Sequence, residues 1–379
     1  MNDLSFSHMD WVRAFEQVEP LLCGLQPDGV WATLADVKRS YDTCLETLPE
    51  DLTILEESMG FVFSRRASQE DCTGDVVELI RGWSEMERAP SLLSIGVFAA
   101  EKLRVSVEPD FAQAFVIAAV LGEVPHDLSY HGNIHFKKVL LQVIRLIRAH
   151  NDIYEGTDVF CDSNDILFLM VAACVHDLGH DGKGNTVQGV YKQARLERMS
   201  YYILLKYFNG IEFSDKAFFE TFMDHFRIVL LCTDASPVGD PASFASQMKS
   251  AYKQHFLDES RRYKPLNLDP ELKSLEGTPK LAALAMLLHE ADIATSAGLS
   301  YPMTAYETTL FYDEFSGEQA KPSHVLEFMN TICTRETLSP AAQKLYSANM
   351  ARIRALADQD IQKGDAAFPD ARSSVFLQG

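Results

Sequence analysis

Apolar residues recur at helical spacing along most of the chain. Lys138 to Ala149 (KVLLQVIRLIRA) and Leu281 to Ile293 (LAALAMLLHEADI) repeat them every three or four positions, the signature of helices with a buried face. Ile166 to Val175 is an unbroken apolar run of about ten residues, long enough for a buried helix and too short to cross a bilayer. Alternating β-branched stretches bounded by turn dipeptides are missing, so the pattern predicts an all-α fold. Turn-forming residues at Gly60, Pro109, Pro125, Asp181 to Asn185 (DGKGN), Pro237 to Pro241, Pro265 to Pro279 and Ser316 to Pro322 divide it into successive helices. Residues 1–90 are expected to be a helical N-terminal region with no chemistry attached. Residues 91–355 should form the main domain, and 356–379 a polar C-terminal tail.

Composition adds two exclusions. With 47% hydrophobic and 23% charged residues the chain has the make-up of a folded globular protein. Its formal charge of −20 and the lack of any Lys/Arg run exclude nucleic acid as an expected partner, because phosphate backbones are tracked by basic surfaces. A small phosphate ester remains compatible with that charge if bound divalent cations neutralise it locally. The seven cysteines are scattered singly, without CxxC spacing, and read as reduced thiols of a cytoplasmic protein. The N-terminus MNDLSFSHMDW has no basic segment leading into an apolar one, so neither a signal peptide nor a membrane association is expected.

Three clusters carry candidate chemistry. In Tyr130-His131-Gly132-Asn133-Ile134-His135, two imidazoles four residues apart precede an apolar helix and are expected on one face of its first turns. Taken alone, the pair reads rather as two partly exposed histidines near a helix start than as a site. His176-Asp177-Leu178-Gly179-His180 ends the apolar run and enters DGKGN, which puts an imidazole and a carboxylate side by side at a core edge. Buried polar groups there need partners, and a metal ion would supply one, although a helix end closed by an internal His-Asp hydrogen bond would serve as well. His289-Glu290-Ala291-Asp292 closes a second apolar helix and offers a further carboxylate, Asp292. Five of the eleven histidines fall in these three clusters.

Read together, YHGNIH, AACVHDLGHDGKGN and LLHEAD, in that order and on apolar helices, resemble the three signatures of the class I cyclic nucleotide phosphodiesterases. These belong to the wider HD-type metal-dependent phosphohydrolases, and the chain looks like a divergent, bacterial-type member. The likeness runs over roughly residues 95 to 330, with minor matches at Leu196-Glu197 and Thr233-Asp234. The resemblance implies a compact multi-helix catalytic domain that hydrolyses cAMP, cGMP or both to the 5′-monophosphate. It implies that His135, His176, Asp177 and Asp292 ligate a first metal ion, with Asp177 bridging to a second. His131 becomes the general acid, His180 and Glu197 stand behind the metal-bound waters, and Tyr130 and Asn185 flank the substrate. Two divalent ions are expected, since together they generate a hydroxide near neutral pH and neutralise phosphoryl oxygens. An oxygen- and imidazole-rich ligand set without thiolate fits Zn²⁺ in the tighter site and Mg²⁺ or Mn²⁺ in the other.

The chain departs from the family pattern around these residues. Gly132 stands for an asparagine, Phe136-Lys137-Lys138 for Ala-Ala-Asp, Gly179 and Asp181 for an Asp and a Pro, and Met199-Ser200 for a His-His pair. The glutamine that holds the purine edge has no evident equivalent, and the segment SHVLEFM puts His324 at that place. An amide can pair with a purine edge in either direction, whereas an imidazole offers one donor and one acceptor in fixed positions. The choice between cAMP and cGMP therefore stays open, as does a homodimeric assembly. Two other functions stay open too: an HD-type phosphohydrolase acting on another phosphodiester or nucleotide, and a non-catalytic nucleotide-sensing module.

Overall fold

The computed structural model describes residues 8–27, 31–64, 72–236, 240–257, 266–333 and 339–369. Among them fourteen α-helices carry the fold, as the apolar spacing predicts. The two helices at its centre are apolar all round, which only a helix without a solvent face can be. In α5 (Pro109–Gly122) every residue from Val116 to Leu121 is buried, and in α7 (Ser163–Val175) every one from Ile166 to Val175. Two further helices pack on this pair, α6 (Asn133–Ile153) and α11 (Pro279–Ala297). Each fully buried Leu, Ile or Phe of this layer contributes ~1.5–3 kcal/mol.

Local signals set where these helices start. Asp162 caps α7 by accepting from Asn164 N and Asp165 N, while the Asp165 side chain accepts from Asp162 N, closing a capping box. Pro109 and Pro279 occupy the first turns of α5 and α11, where their missing N–H costs nothing. Gly122, at the end of α5, lets that helix touch α7 closely: a Cβ there would lie 2.4 Å from the Cys174 carbonyl oxygen.

The first three helices, α1 (His8–Gly24), α2 (Leu34–Ser58) and α3 (Thr73–Glu85), are continuous with this core. α1 packs on α5, and α2 on α5 and on α4 (Leu92–Lys102). Asp51 of α2 is fully buried and accepts hydrogen bonds from Ser91 N, Ser94 Oγ and Arg88 Nη1 at 2.7–2.9 Å, tying α2 to the start of α4.

Beyond α7 come a two-stranded antiparallel hairpin, β1 (Thr186–Val187) and β2 (Val190–Tyr191), then α8 (Arg195–Phe208), α9 (Lys216–Leu231) and α10 (Phe244–Phe256). The hairpin turns on Gln188 and Gly189, both with positive φ, the conformation two-residue hairpins require. After α11 follow α12 (Tyr301–Phe315), α13 (Pro322–Thr331) and α14 (Pro340–Gln362). Residue 356, where the polar tail was expected to begin, lies inside α14, whose Ile353 and Ala357 are buried. The last ten residues of that tail, and Pro237 and Pro265 among the expected loop prolines, lie outside the described residues.

No described helix is long and apolar enough to cross a membrane. All seven cysteines are free, and all but Cys23 are buried. Lys137 and Lys138, standing where alanine and aspartate were expected, are buried but paired. Lys137 Nζ is 3.1 Å from Glu123 Oε1 and Lys138 Nζ 2.5 Å from Glu307 Oε1, as buried cations require.

Candidate metal centre and active site

Three helices converge at one end of the core. His135 sits in the first turn of α6, His176 caps the C-terminus of α7 with Asp177 following, and Asp292 lies within α11. His131 stands before the helix, because α6 begins only at Asn133 after an extended Gly132. It therefore does not share a helical face with His135, contrary to the expectation from spacing, yet the two rings remain 5.6 Å apart.

Four donor atoms crowd together. His135 Nε2 lies 3.3 Å from His176 Nε2, 3.5 Å from Asp177 Oδ2 and 3.2 Å from Asp292 Oδ1. His176 Nε2 is 3.0 Å from Asp177 Oδ2 and 3.9 Å from Asp292 Oδ1. His176 Nδ1 donates to the Ala173 carbonyl at 3.0 Å, which leaves its Nε2 lone pair facing the cluster. Both imidazoles are almost wholly buried. Burial disfavours their charged form, but hydrogen bonds to Asp177 and Asp292 outweigh it and raise His135 to about 9. Asp177 is held well below the usual carboxylate range: burial opposes this, and the flanking His176 and His135 overcome it.

Beside this cluster stands a second one that the sequence reading did not contain. Glu314, at the end of α12, accepts from the backbone N–H groups of Tyr130 (2.8 Å) and His131 (3.0 Å) and from His131 Nδ1 (2.7 Å). Its side chain is 3% exposed. The contact spans 183 residues of sequence, and nothing in the DEF triplet that carries Glu314 marks it. With Nδ1 engaged, His131 Nε2 is the ring nitrogen left over, 4.0 Å from Asp177 Oδ2. His180 stacks on His131, with ring centroids 3.8 Å apart, and its Nδ1 accepts from Gly182 N. Burial and the neighbouring His131 push His180 down to about 4, so His180 is neutral near neutral pH.

His131, His180 and Glu314 are close enough to be a ligand group themselves, as are His135, His176 and Asp177. In the first trio Glu314 already accepts from His131 Nδ1, and His180 Nδ1 from Gly182 N, so these atoms are engaged without an ion. In the second the two Nε2 atoms face each other and carboxylate oxygens, so the site calls for positive charge there, either the imidazolium that the raised His135 favours or a bound cation in its place.

The remaining expected residues surround a cavity of about 380 Å³ lined by Tyr130, His131, Asp177, His180, Asn185, Glu197 and Asp292 among others. Glu197 is buried, and burial together with Asp234 and Asp177 raises it well above the usual carboxylate range. The Asn185 amide is committed on both sides, with Nδ2 donating to Glu197 at 3.1 Å and Oδ1 accepting from Leu196 N at 2.9 Å. Asp234 accepts from Tyr191 Oη, Ala194 N and Ser236 N and so braces the hairpin. The Tyr130 hydroxyl bonds Ser296 Oγ at 2.6 Å.

His324 does not line this cavity. It lies in an adjoining one of about 190 Å³, stacked on Tyr312 with ring centroids 4.1 Å apart and planes within 4°. The two cavities meet at Tyr130, Phe311, Phe328 and Ile332. The helix pattern could not reveal this, because α12 and α13 face each other only in the tertiary structure.

Residues 130–351, more than half of the chain, match the sequence profile of the 3′5′-cyclic nucleotide phosphodiesterases. Similar solved structures include the phosphodiesterase domain of the RhoPDE fusion protein from the choanoflagellate Salpingoeca rosetta. It is 16% identical over 76% of this chain and 92% of that one, with a TM-score of 0.50. A further structure of the phosphodiesterase domain of Salpingoeca rosetta rhodopsin phosphodiesterase is 15% identical, over 81% and 96% of the two chains, with a TM-score of 0.49. No curated protein sequence matches the chain. At such identities a structural likeness speaks for the fold alone, and membership rests on the sequence match. The chain belongs to the 3′5′-cyclic nucleotide phosphodiesterase family, an all-α, metal-dependent group of hydrolases.

Proposed function

We propose that the protein hydrolyses cAMP, cGMP or both to the 5′-monophosphate, with catalysis in residues 91–355 and residues 1–90 supporting them. The observation that carries this reading is the convergence of four metal-type donor atoms beside an imidazole whose Nδ1 is fixed by a carboxylate. Bonds of ~2.0–2.2 Å from nitrogen and oxygen to a tetrahedral or octahedral cation put neighbouring donors about 3–3.5 Å apart. Five of the separations among His135, His176, Asp177 and Asp292 run from 3.0 to 3.9 Å; His135, His176 and Asp177 form the mutually close group, which Asp292 joins through the two imidazoles, and this set suits such an ion. They would hold the first cation, and Asp177 would share a second with His180 and Glu197 standing behind it. Zn²⁺ suits the first position and Mg²⁺ or Mn²⁺ the second, given ligand type. When bound, the pair activates water at neutral pH and neutralises phosphoryl oxygens.

The chain's own residues do the rest. Glu314 fixes the His131 ring through Nδ1–H and turns Nε2 toward the cavity. The oxygen of water forms a new bond to phosphorus, the bond from phosphorus to the 3′ oxygen breaks, the Nε2 proton passes to that oxygen, and the proton the water gives up is lost to solvent, from which Nε2 is protonated again. Neutral His180, stacked on His131, braces that ring from its far face. The base lies in the adjoining cavity, between Phe311, Phe328 and the Tyr312–His324 stack, with Tyr130 and Asn185 at the substrate's flank. The free, mostly buried cysteines fit work in the cytoplasm.

The test is direct. Protein loaded with Mn²⁺ or Zn²⁺ is incubated with cAMP and cGMP, and the 5′-monophosphates are resolved by chromatography. Failure to turn over either nucleotide while the metals are demonstrably bound would refute the proposal.

A further inference from the structure

We infer that Trp31, just ahead of α2, positions the metal-bearing turn and is the residue through which the N-terminal helices act on the active site. The inference rests on the reading of His176 and Asp177 as metal ligands and goes beyond it, giving a role to residues 1–90, in which the sequence shows no motif of its own.

Two lines of contact run from Trp31 to those ligands. The first follows the backbone. The Trp31 ring lies over His126, with centroids 6.3 Å apart and planes 30° from parallel. His126 Nδ1 donates to the Val124 carbonyl at 2.9 Å, which leaves Nε2 as an acceptor, and Nε2 takes the Gly179 N–H at 3.2 Å. Gly179 follows Asp177 by two residues and has φ +77°, a conformation L side chains rarely adopt. A Cβ on it would lie 3.5 Å from Trp31 Cβ, 3.1 Å from Ile203 Cδ1 and 3.3 Å from Met199 Cε. The turn is thus held between the N-terminal segment on one side and α8 on the other.

The second line runs through rings. His126 meets Phe136 edge-on at 5.4 Å, and Phe136 meets His176 edge-on at 5.5 Å. Gly179 and Phe136 are both positions where the chain departs from the family pattern, and both departures lie on the path to Trp31. The segment itself is anchored, because α1 and α2 pack on α5 and Lys206 Nζ of α8 donates to the Gln26 carbonyl at 2.5 Å. Groups that orient metal ligands from behind are worth ~10–100-fold in metal affinity. Trp31 and His126 stand one contact further back, reaching Asp177 through Gly179 and His176 through Phe136, and are positioning residues whose effect should fall at the lower end of that range.

The experiment titrates metal-free, full-length protein with Mn²⁺ alone and with Zn²⁺ alone, and then measures kcat and KM of the loaded protein. Trp31→Ala and His126→Ala should each weaken metal binding by about tenfold and lower kcat at nearly unchanged KM. Trp31→Phe, which keeps a ring over His126, and His126→Gln, which keeps an acceptor for Gly179 N–H, should recover most of the loss. Loss of packing alone would lower the melting temperature of the metal-free protein and leave metal affinity untouched. Wild-type metal affinity and kcat in either alanine variant overturn the inference. Asp177→Ala serves as the reference: should it bind metal as tightly as wild type, the metal assignment has failed rather than the role of Trp31.

Discussion

Glu314→Gln tests the proposed acid without touching a proposed metal ligand. The carboxylate accepts three hydrogen bonds, two from the backbone N–H groups of Tyr130 and His131 and one from His131 Nδ1. A glutamine has a single carbonyl oxygen for these donors, and its NH₂ group faces at least one of them. One buried donor is left unsatisfied, at ~1–3 kcal/mol of stability. Glu314→Ala, with all three left over, should lose about 3–6 kcal/mol, water entering at the cavity mouth keeping the sum below the upper limit. The larger effect is on turnover. General acid catalysis contributes ~10²–10⁴-fold, or ~3–5 kcal/mol of barrier, and needs the ring held with Nε2 toward the leaving oxygen. Glu314→Gln should therefore lower kcat on a cyclic nucleotide by about 10²-fold and His131→Ala by about 10²–10⁴-fold, with metal content unchanged in both. A nitrophenyl phosphodiester leaves without protonation, so on it both variants should lose less than about tenfold. Because the two residues act as one unit, adding Glu314→Gln to His131→Ala should cost little more. Equal losses on both substrates, additive effects in the double variant, or metal loss in His131→Ala would each refute the assignment of His131 as acid and Glu314 as its support.

Other expectations concern the metal centre, the base cavity and the core. Asp177→Ala should abolish turnover and strip the metals, as read by elemental analysis of the purified protein; an active variant with full metal content would contradict the ligand assignment. His324→Gln should change the ratio of kcat/KM for cAMP over cGMP, since a glutamine can present donor and acceptor in either order, and an unchanged ratio would remove His324 from base recognition. Gly122→Ala would put a Cβ 2.4 Å from the Cys174 carbonyl oxygen and 2.7 Å from Leu92 Cδ1. Urea unfolding should register a loss of about 2 kcal/mol, and an unmoved midpoint would show that α5 and α7 separate more readily than their packing suggests.

The sequence by itself determined the helices and where along them the candidate ligands sit. An unbroken apolar run such as Ile166 to Val175 can only be a buried helix in a chain of this kind, so it delivers His176 and Asp177 to a core edge whatever the rest of the fold does. The same holds for Asp292 on α11 and for His135 in the first turn of α6, because periodicity is local information. What only the tertiary structure decided were contacts between residues that no local pattern connects. Glu314 meets His131 across 183 residues, Trp31 reaches Gly179 from the far end of the chain, and His324 faces a cavity beside the candidate ligand cluster rather than the cluster itself. The paired lysines of α6 belong here as well: Lys138 reads as a surface residue until Glu307 is found 2.5 Å away. Such contacts depend on which helix faces pack together, and a single glutamate, tryptophan or lysine leaves no periodic trace of its partner. The hydrophobic pattern fixes which face of a helix turns inward, and packing fixes what that face meets.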